Sequence, residues 1–354
     1  MSAVMESPSP PPVAPASVER SEGVWHAAWR RFRGDRVGLG ALAIVAAFLV
    51  LIALSGAGLV AKHWQNEVGV PDAPPSFLGP KAPEAAAVIE VPKGPNVDLS
   101  AIDPLAPRYK EWEERAAKLK TEELPRADTL PMGGDRLGRD VLSKAVKGTE
   151  VSVFVGVLAA VLATTIGTLL GALAGYFGGR VGDFLEWLYN VFTSIPEILL
   201  IFAFAAVFGR GIGTVVVILA LVGWTGLYRQ VRAEFMKHSV REYVRAAEAI
   251  GASVWSRMFR HILPNVSHVI LVRMSLLVVS FIKFEVILSY LGMGVGVDDV
   301  SWGTMLAEAQ SELILGHWWQ LAAATLFMAV FVTAFSLLAD ALRDALDPKL
   351  RGLE

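Results

Sequence analysis

Residues 151–179 read VSVFVGVLAAVLATTIGTLLGALAGYFGG and contain no charged side chain. A helix of about 20 apolar residues is long enough to cross the hydrocarbon core of a bilayer. Further apolar runs lie on either side of this stretch, at 37–61, 188–209, 211–228, 266–296 and 313–339. Runs of this length and number are not typical of a soluble core. The sequence therefore predicts an all-α integral membrane protein with six transmembrane helices.

The composition of the chain agrees with this prediction. Of its 354 residues, 54% are hydrophobic and 19% are charged, whereas roughly a quarter are charged in soluble domains. The mean hydropathy is +0.49. The net charge of -2 disfavours binding of nucleic acid. The absence of cysteine excludes disulfides, thiolate metal sites and cysteine nucleophiles.

Lysine and arginine are unevenly distributed among the connecting segments. Arginines cluster within 30–36 and basic residues recur through 230–264, whereas 291–318 has no Lys or Arg. Cytoplasmic loops carry the excess of Lys and Arg, so both termini and 230–264 are predicted to be cytoplasmic. The predicted organisation is a disordered tail at 1–24, an amphipathic lead-in and first span at 25–61, an extracytoplasmic segment at 62–150, a core with the other five spans at 151–341, and a cytoplasmic tail at 342–354.

The extracytoplasmic segment is too long for a bare loop and is predicted to be partly helical. Within 106–123, Tyr109, Trp112 and Ala116 share one stripe at helical spacing. This helix either packs as a cap on the membrane domain of its own chain or binds a separate outer partner. A second helical pattern, Gly167, Gly171 and Gly175, allows close approach to another helix, in this chain or in another subunit.

The cytoplasmic stretch 239–265 reads SVREYVRAAEAIGASVWSRMFRHILPN. Ser239 and Glu242 form the pattern of a capping box, so a helix is predicted to start there. Gly251 fits a C-terminal cap, and a second short helix is predicted from Ser253 to Pro264. The residues predicted to share the apolar face of the first helix are Val240, Tyr243, Ala247 and Ile250. Such a slim helix suits a groove on another protein, or an anionic lipid surface.

This stretch resembles the EAA loop of bacterial ABC-transporter permeases. The matching positions are Arg245, Ala246, Ala247, Gly251, His261, Leu263 and Pro264, with Arg245 in place of the usual Glu and His261 in place of the usual Ile. The resemblance implies that the loop docks into a groove of an ATPase subunit. The residues it implicates in this contact are Glu242, Tyr243, Arg245, Ala246, Ala247, Ala249, Ile250, Gly251, Ala252, Leu263 and Pro264.

Other stretches resemble the second permease subunit of dipeptide, oligopeptide and nickel importers. They are LGRDVLS at 137–143, LSYLGMG at 288–294, SWGTML at 301–306 and DPKLR at 347–351. The resemblance covers 25–60 and 130–354, and 65–128 is longer than usual. It implies a bacterial inner-membrane permease that works with a second permease, two ATPase subunits and an extracytoplasmic solute-binding protein. It does not separate peptides from nickel or another small solute.

Placing a charged side chain inside a membrane span is energetically unfavourable, so charged residues within the apolar runs suggest a functional role. Glu197, Lys283 and Glu285 are candidates for lining a translocation path, and the alternative for Lys283 and Glu285 is interfacial anchoring or helix pairing. Pro196 frees a backbone carbonyl and allows a broken helix beside the path. These charges also leave open a secondary transporter driven by an ion gradient.

Three common motifs of nucleotide-binding and catalytic sites are absent from the sequence. It contains no G-x-x-x-x-G-K-[ST] phosphate loop, no H-E-x-x-H and no G-x-S-x-G. We therefore expect no enzymatic activity and no bound cofactor or metal in this chain. In the importer that the resemblance implies, ATP and Mg²⁺ bind to the partner ATPase subunits.

Overall fold

A computed structural model describes residues 24–80, 103–118 and 125–346. These parts form α-helices joined by loops with isolated β-bridges. The helices are α1 (Val24–Gly34), α2 (Arg36–Gly56), α3 (Ala106–Lys118), α4 (Val141–Phe177), α5 (Gly179–Thr193), α6 (Glu197–Phe208), α7 (Ile212–Ser239), α8 (Glu242–Ala249), α9 (Val254–Ser256), α10 (Leu263–Tyr290), α11 (Trp302–Ile314) and α12 (Trp319–Leu346). The all-α membrane class is confirmed.

Four of these helices, α2, α4, α7 and α12, are long and apolar enough to cross a membrane. The pair α5 and α6 meets the same test together but bends by 82°, which gives up to five spans in the described residues. The break lies at Pro196, as its ring allows. The remaining long helix, α10, carries Arg273, Lys283 and Glu285 and is not among the five. The count of six therefore stays a prediction.

The second apolar run is part of a much longer helix than its own length suggests. α4 has 37 residues and begins at Val141, ten residues before the predicted start, because Asp140 caps it. The Asp140 carboxylate accepts hydrogen bonds from the backbone N–H groups of Leu142 and Ser143. These bonds satisfy two of the donors that a helix leaves unpaired at its first turn.

The glycine stripe brings α4 directly against α7. A methyl group added at Gly167 or Gly171 would lie 2.7 Å from the carbonyl oxygen of Trp224 or Tyr228, and one at Gly175 would meet the carbonyl of Arg232. The two backbones are therefore in contact along three successive turns. The contact lies within the chain, which decides between the two alternatives for this stripe.

Residues 59–80 and 125–140, which belong to the segment predicted to be extracytoplasmic, fold together next to the start of α4. Bridges join Glu67 to Arg139 and Gly69 to Ala127, and the Trp319 ring N–H donates to the Gly134 carbonyl at 2.7 Å. The predicted outer helix is confirmed over Ala106–Lys118, but Tyr109 and Trp112 are exposed rather than packed on the membrane domain. Residues 119–124 lie outside the described residues.

The predicted lead-in, α1, packs against the end of the last helix. Ala28 and Phe32 are buried against Ala341 and Ala345 of α12, which continues to Leu346, beyond the predicted boundary at 341. The predicted C-terminal tail therefore begins within α12, and residues 1–23 and 347–354, which include the DPKLR stretch, lie outside the described residues.

Candidate functional site: a helical segment between α7 and α10 and buried charges

The segment 239–264 is a helical excursion between α7 and α10, and its first helix starts later than predicted. α7 continues to Ser239, whose hydroxyl donates to the Met236 carbonyl at 2.9 Å. Arg241, which makes no side-chain cap, precedes α8. The predicted capping box is therefore wrong, because the Ser239 hydroxyl bonds back into its own helix instead of reaching forward.

The buried face of α8 also differs from the predicted one. Val244 and Ala247 are buried, whereas Val240 and Tyr243 are exposed and Ile250 is 85% exposed. Val244 packs in a cluster that joins α8 to four other elements. The cluster contains Ala172 of α4, Phe235 of α7, Met258 and Ile262 of a π-helical turn at Arg257–Ile262, and Val266 of α10. Of the residues predicted to share the apolar face, only Ala247 is therefore buried, and the larger side chains are exposed to solvent.

α8 ends as its glycine predicts. Gly251 has φ +83°, its N–H donates to the Glu248 carbonyl, and the N–H of Ala252 donates to the Ala247 carbonyl. This is the pattern of a left-handed C-terminal cap. Ser253 then caps α9 through the Ser256 N–H at 3.2 Å.

Pro264 does not end a helix, contrary to the prediction. It lies in the first turn of α10, where the missing proline N–H costs no hydrogen bond. The π-helical turn before it leads directly into α10. Of the residues that the resemblance implicates, those exposed on the segment are Glu242, Tyr243, Arg245, Ala246, Ala249, Ile250, Gly251 and Pro264, with Ala252 and Leu263 half-buried.

The structure gives the three candidate path residues different environments. Glu285 is fully buried, and its carboxylate accepts hydrogen bonds from Ser152 of α4 at 2.6 Å and Ser289 at 2.7 Å. Ser152 in turn accepts from the Trp302 N–H at the start of α11. Glu285 therefore pairs helices, which was the alternative to a path role. Glu197, next to the break at Pro196, and Lys283 are exposed.

A buried ionic cluster at the start of α4, called the outer cluster because this end is predicted to be extracytoplasmic, was not found by sequence reasoning. Lys144 is fully buried and pairs with Asp135 at 2.7 Å and with Glu308 of α11, and it also donates to Gln320 of α12 at 3.1 Å. Arg139 lies 2.6 Å from the same Asp135 oxygen, Oδ2, that Lys144 contacts. The cluster ties the loop before α4 to both α11 and α12.

Two carboxyl groups of this region have shifted pKa values. Burial would raise the pKa of Asp135, but the charges and hydrogen bonds of Lys144 and Arg139 outweigh it and lower this pKa. Burial raises the pKa of Glu312 to about 7, against weaker opposing effects of the Arg136 N–H and Lys144. Only a GRD motif at 138–140 marks this region in the sequence, and it does not reveal Glu308, Glu312 or Gln320.

Comparison with known proteins matches this architecture to one family. The model of the family described as "Binding-protein-dependent transport system inner membrane component" matches residues 167–352, more than half of the chain. The chain belongs to this family. It is therefore a transport permease, and the membrane class and the predicted ABC-permease resemblance are confirmed.

The curated relatives carry peptide-transport names. The dipeptide transport system permease protein DppC of Bacillus subtilis (strain 168) is 37% identical over 66% of this chain and 73% of its own length. The oligopeptide permease OppC of the same organism is 34% identical over 70% of this chain and 80% of its own length. OppC of Escherichia coli (strain K12) is 39% identical over 62% and 72%. A solved chain of the MetNI methionine ABC transporter covers 58% of this chain and 96% of its own, at 16% identity and a TM-score of 0.47.

Proposed function

We propose that this chain is a permease subunit of an ATP-binding-cassette importer that moves peptides across a bacterial inner membrane. Its partners would be a second permease, two ATPase subunits that bind ATP and Mg²⁺, and an extracytoplasmic solute-binding protein. The names of the relatives support peptides as the substrate class. Both termini and the coupling segment, defined here as 239–264, would lie in the cytoplasm.

The exposed apolar side of the coupling segment is the observation that carries this proposal. Ile250 and Trp255 are 85% and 58% exposed, next to the left-handed turn at Gly251. Exposed large apolar side chains on a short helix suit a groove on another protein. Of the other contact residues proposed from the family resemblance, Arg245, Ala246 and Ala249 are also exposed, whereas Ala247 is buried.

The inner side of the same segment explains how a docked partner would move the membrane helices. Val244 packs with Phe235 of α7, Met258 of the π-helical turn and Val266 of α10. Because interiors are close-packed, a displacement of α8 is transmitted to these neighbours. ATP-driven movement of the ATPase would therefore tilt α7 and α10 and change access to a path, for which exposed Glu197 and Lys283 remain the proposed lining.

The test replaces one exposed isoleucine in the coupling segment and one of equal exposure elsewhere. Ile250→Ser should lose most co-purifying ATPase and peptide uptake, without destabilising this chain, because Ile250 buries little surface in it. Ile314→Ser is the matched control, since Ile314 is 83% exposed at the end of α11. Equal recovery of ATPase with both variants would refute the docking role. Uptake driven by an ion gradient without ATP would support a secondary transporter instead.

A further inference from the structure

A cavity of ≈ 380 Å³ opens beside the ionic cluster at the outer end of α4. Its lining residues come from the loop before α4 and from α11, and they are Asp135, Arg136, Leu137, Arg139, Glu308 and Glu312. The site is on the side of the protein that the Lys and Arg distribution places outside. None of these residues takes part in the coupling segment.

Buried negative charge exceeds buried positive charge in this cluster. Three carboxylates, Asp135, Glu308 and Glu312, are present. Lys144 pairs with Asp135 and Glu308, and Arg139 pairs with the same two carboxylates, at 2.6 Å and 3.6 Å. Arg136 also lines the cavity, but its side chain is exposed and forms no ion pair among the described residues. Without it, the cluster has two positive and three negative charges when all groups are ionised. The negative charge left without a paired cation belongs to Glu312.

Glu312 is also incompletely hydrogen-bonded. Its side chain is 1% exposed, and one carboxylate oxygen accepts from the Arg136 N–H at 3.3 Å. The other oxygen, Oε2, is buried without a hydrogen-bond partner among the described residues. An ionised carboxylate in this position is costly unless a cation or a further donor reaches it.

We propose that this cavity binds the ammonium group of an incoming peptide, with the Glu312 carboxylate as its counter-ion. An ammonium group supplies one positive charge and three hydrogen-bond donors, which matches the unpaired Glu312 carboxylate and its free Oε2. The described residues contain no group of three His, Asp or Glu side chains arranged to hold a metal ion. The inference rests on the proposed function, because it takes a peptide as the substrate.

Ammonium binding should depend on pH in a defined direction. The pKa of Glu312 is raised to about 7 by burial, with Asp135 and Glu308 raising it further and Lys144 and the Arg136 N–H opposing them. Two arginines also line the cavity: Arg139 is held by Asp135 and Glu308, whereas the Arg136 side chain is exposed. Only the ionised carboxylate attracts an ammonium group, and a peptide α-amino group with a pKa of about 7.7–8.0 is itself partly deprotonated at pH 8. Affinity should therefore be roughly three- to fivefold higher at pH 8 than at pH 6.

The experiment measures binding to the purified transporter complex in nanodiscs, without its solute-binding protein. The probes are alanyl-alanine amide, which has a free ammonium group, and its N-acetylated form, which has none. We expect only the first to bind, and Glu312→Gln to weaken it at least tenfold at pH 8. Glu113→Gln, at an exposed glutamate on α3, is the matched control and should bind as the wild type does.

Several results would overturn the inference. Equal binding of both probes, or unchanged binding to Glu312→Gln, would show that the Glu312 carboxylate does not hold the ammonium group. No binding of either probe, with pH-dependent unfolding that Glu312→Gln abolishes, would show a site for a proton only. ATP-driven peptide uptake by the same wild-type complex separates these results from failure of the proposed function, which would abolish uptake altogether.

Discussion

Replacing Gly171 by alanine tests whether the contact between α4 and α7 is as close as the structure shows. The added methyl carbon would lie 2.7 Å from the Tyr228 carbonyl oxygen, 2.9 Å from Cβ of Val231 and 3.1 Å from the Arg232 nitrogen. Carbon and oxygen atoms without a bond between them seldom approach so closely, so the helices must separate. A gap of about 0.5–1 Å already removes a quarter to a half of the attractive energy of each dispersion contact between the two helices.

The size of the effect follows from two opposing contributions. Overpacking of a core costs about 1–3 kcal/mol, whereas alanine in place of glycine stabilises a helix interior by about 1 kcal/mol. Gly40→Ala in α2 is the matched control, because a methyl group there meets nothing within 4 Å. The free energy of unfolding should therefore be about 1–3 kcal/mol lower in Gly171→Ala than in Gly40→Ala.

The assay is reversible unfolding in mixed detergent–SDS micelles, followed by tryptophan fluorescence. Trp224 lies on α7 within the same seam, so its signal reports on this contact. Equal stability of the two variants would refute the close approach of the backbones. The glycine stripe would then be explained by a contact with another subunit rather than by a contact within this chain.

The remaining predictions concern the coupling segment and the outer cluster. Gly251→Val should reduce co-purification of the ATPase, because a residue with Cβ pays about 1–2 kcal/mol in the left-handed region, whereas Gly251→Asn should largely keep it; equal loss in both would contradict this reasoning. Lys144→Met should lower the free energy of unfolding by about 3–5 kcal/mol, because it leaves buried Asp135 without its main cation. The double variant Lys144→Met/Asp135→Asn should recover part of that loss in the same unfolding assay. Glu312, with its pKa raised from 4.5 to about 7 in the folded protein, binds its proton more tightly than in the unfolded chain. Its stabilising contribution is complete below about pH 4.5 and is lost as pH rises through 7, so the melting temperature of the wild type should fall from pH 6 to pH 8 relative to Glu312→Gln.

Features with a local physical cause could be predicted from the sequence. The left-handed turn at Gly251 and the break at Pro196 follow from the backbone properties of single residues. The close packing at Gly171 follows from side-chain size at helical spacing. For the turn and the break, the deciding residue and its effect lie within one or two turns. At Gly171 the sequence predicted a close approach but left open which helix is the partner, because Tyr228 and Val231 lie far away in the sequence.

Other features depend on competition between partners that are far apart in the sequence. Ser239 could cap the next helix or donate a hydrogen bond back to Met236. The second occurs because α7 continues as far as Ser239. Glu285 accepts a hydrogen bond from Ser152, which lies 133 residues away in the sequence. The periodicity of α8 predicted Tyr243 rather than Val244 as the buried position, and this was wrong because burial there depends on the neighbouring π-helical turn.

The same helix connects the outer cluster to the coupling segment. Lys144 at the outer end of α4 holds Asp135 and Glu308, and Ala172 near its inner end packs in the cluster that contains Val244 of α8. At a rise of about 1.5 Å per residue, these two positions are about 42 Å apart along one uninterrupted helix. The glycine contacts also fix α4 to α7 over its inner half. A displacement of the coupling segment therefore reaches the outer cluster through a rigid element, and we expect Lys144→Met to uncouple ATP hydrolysis from uptake as well as to destabilise the fold.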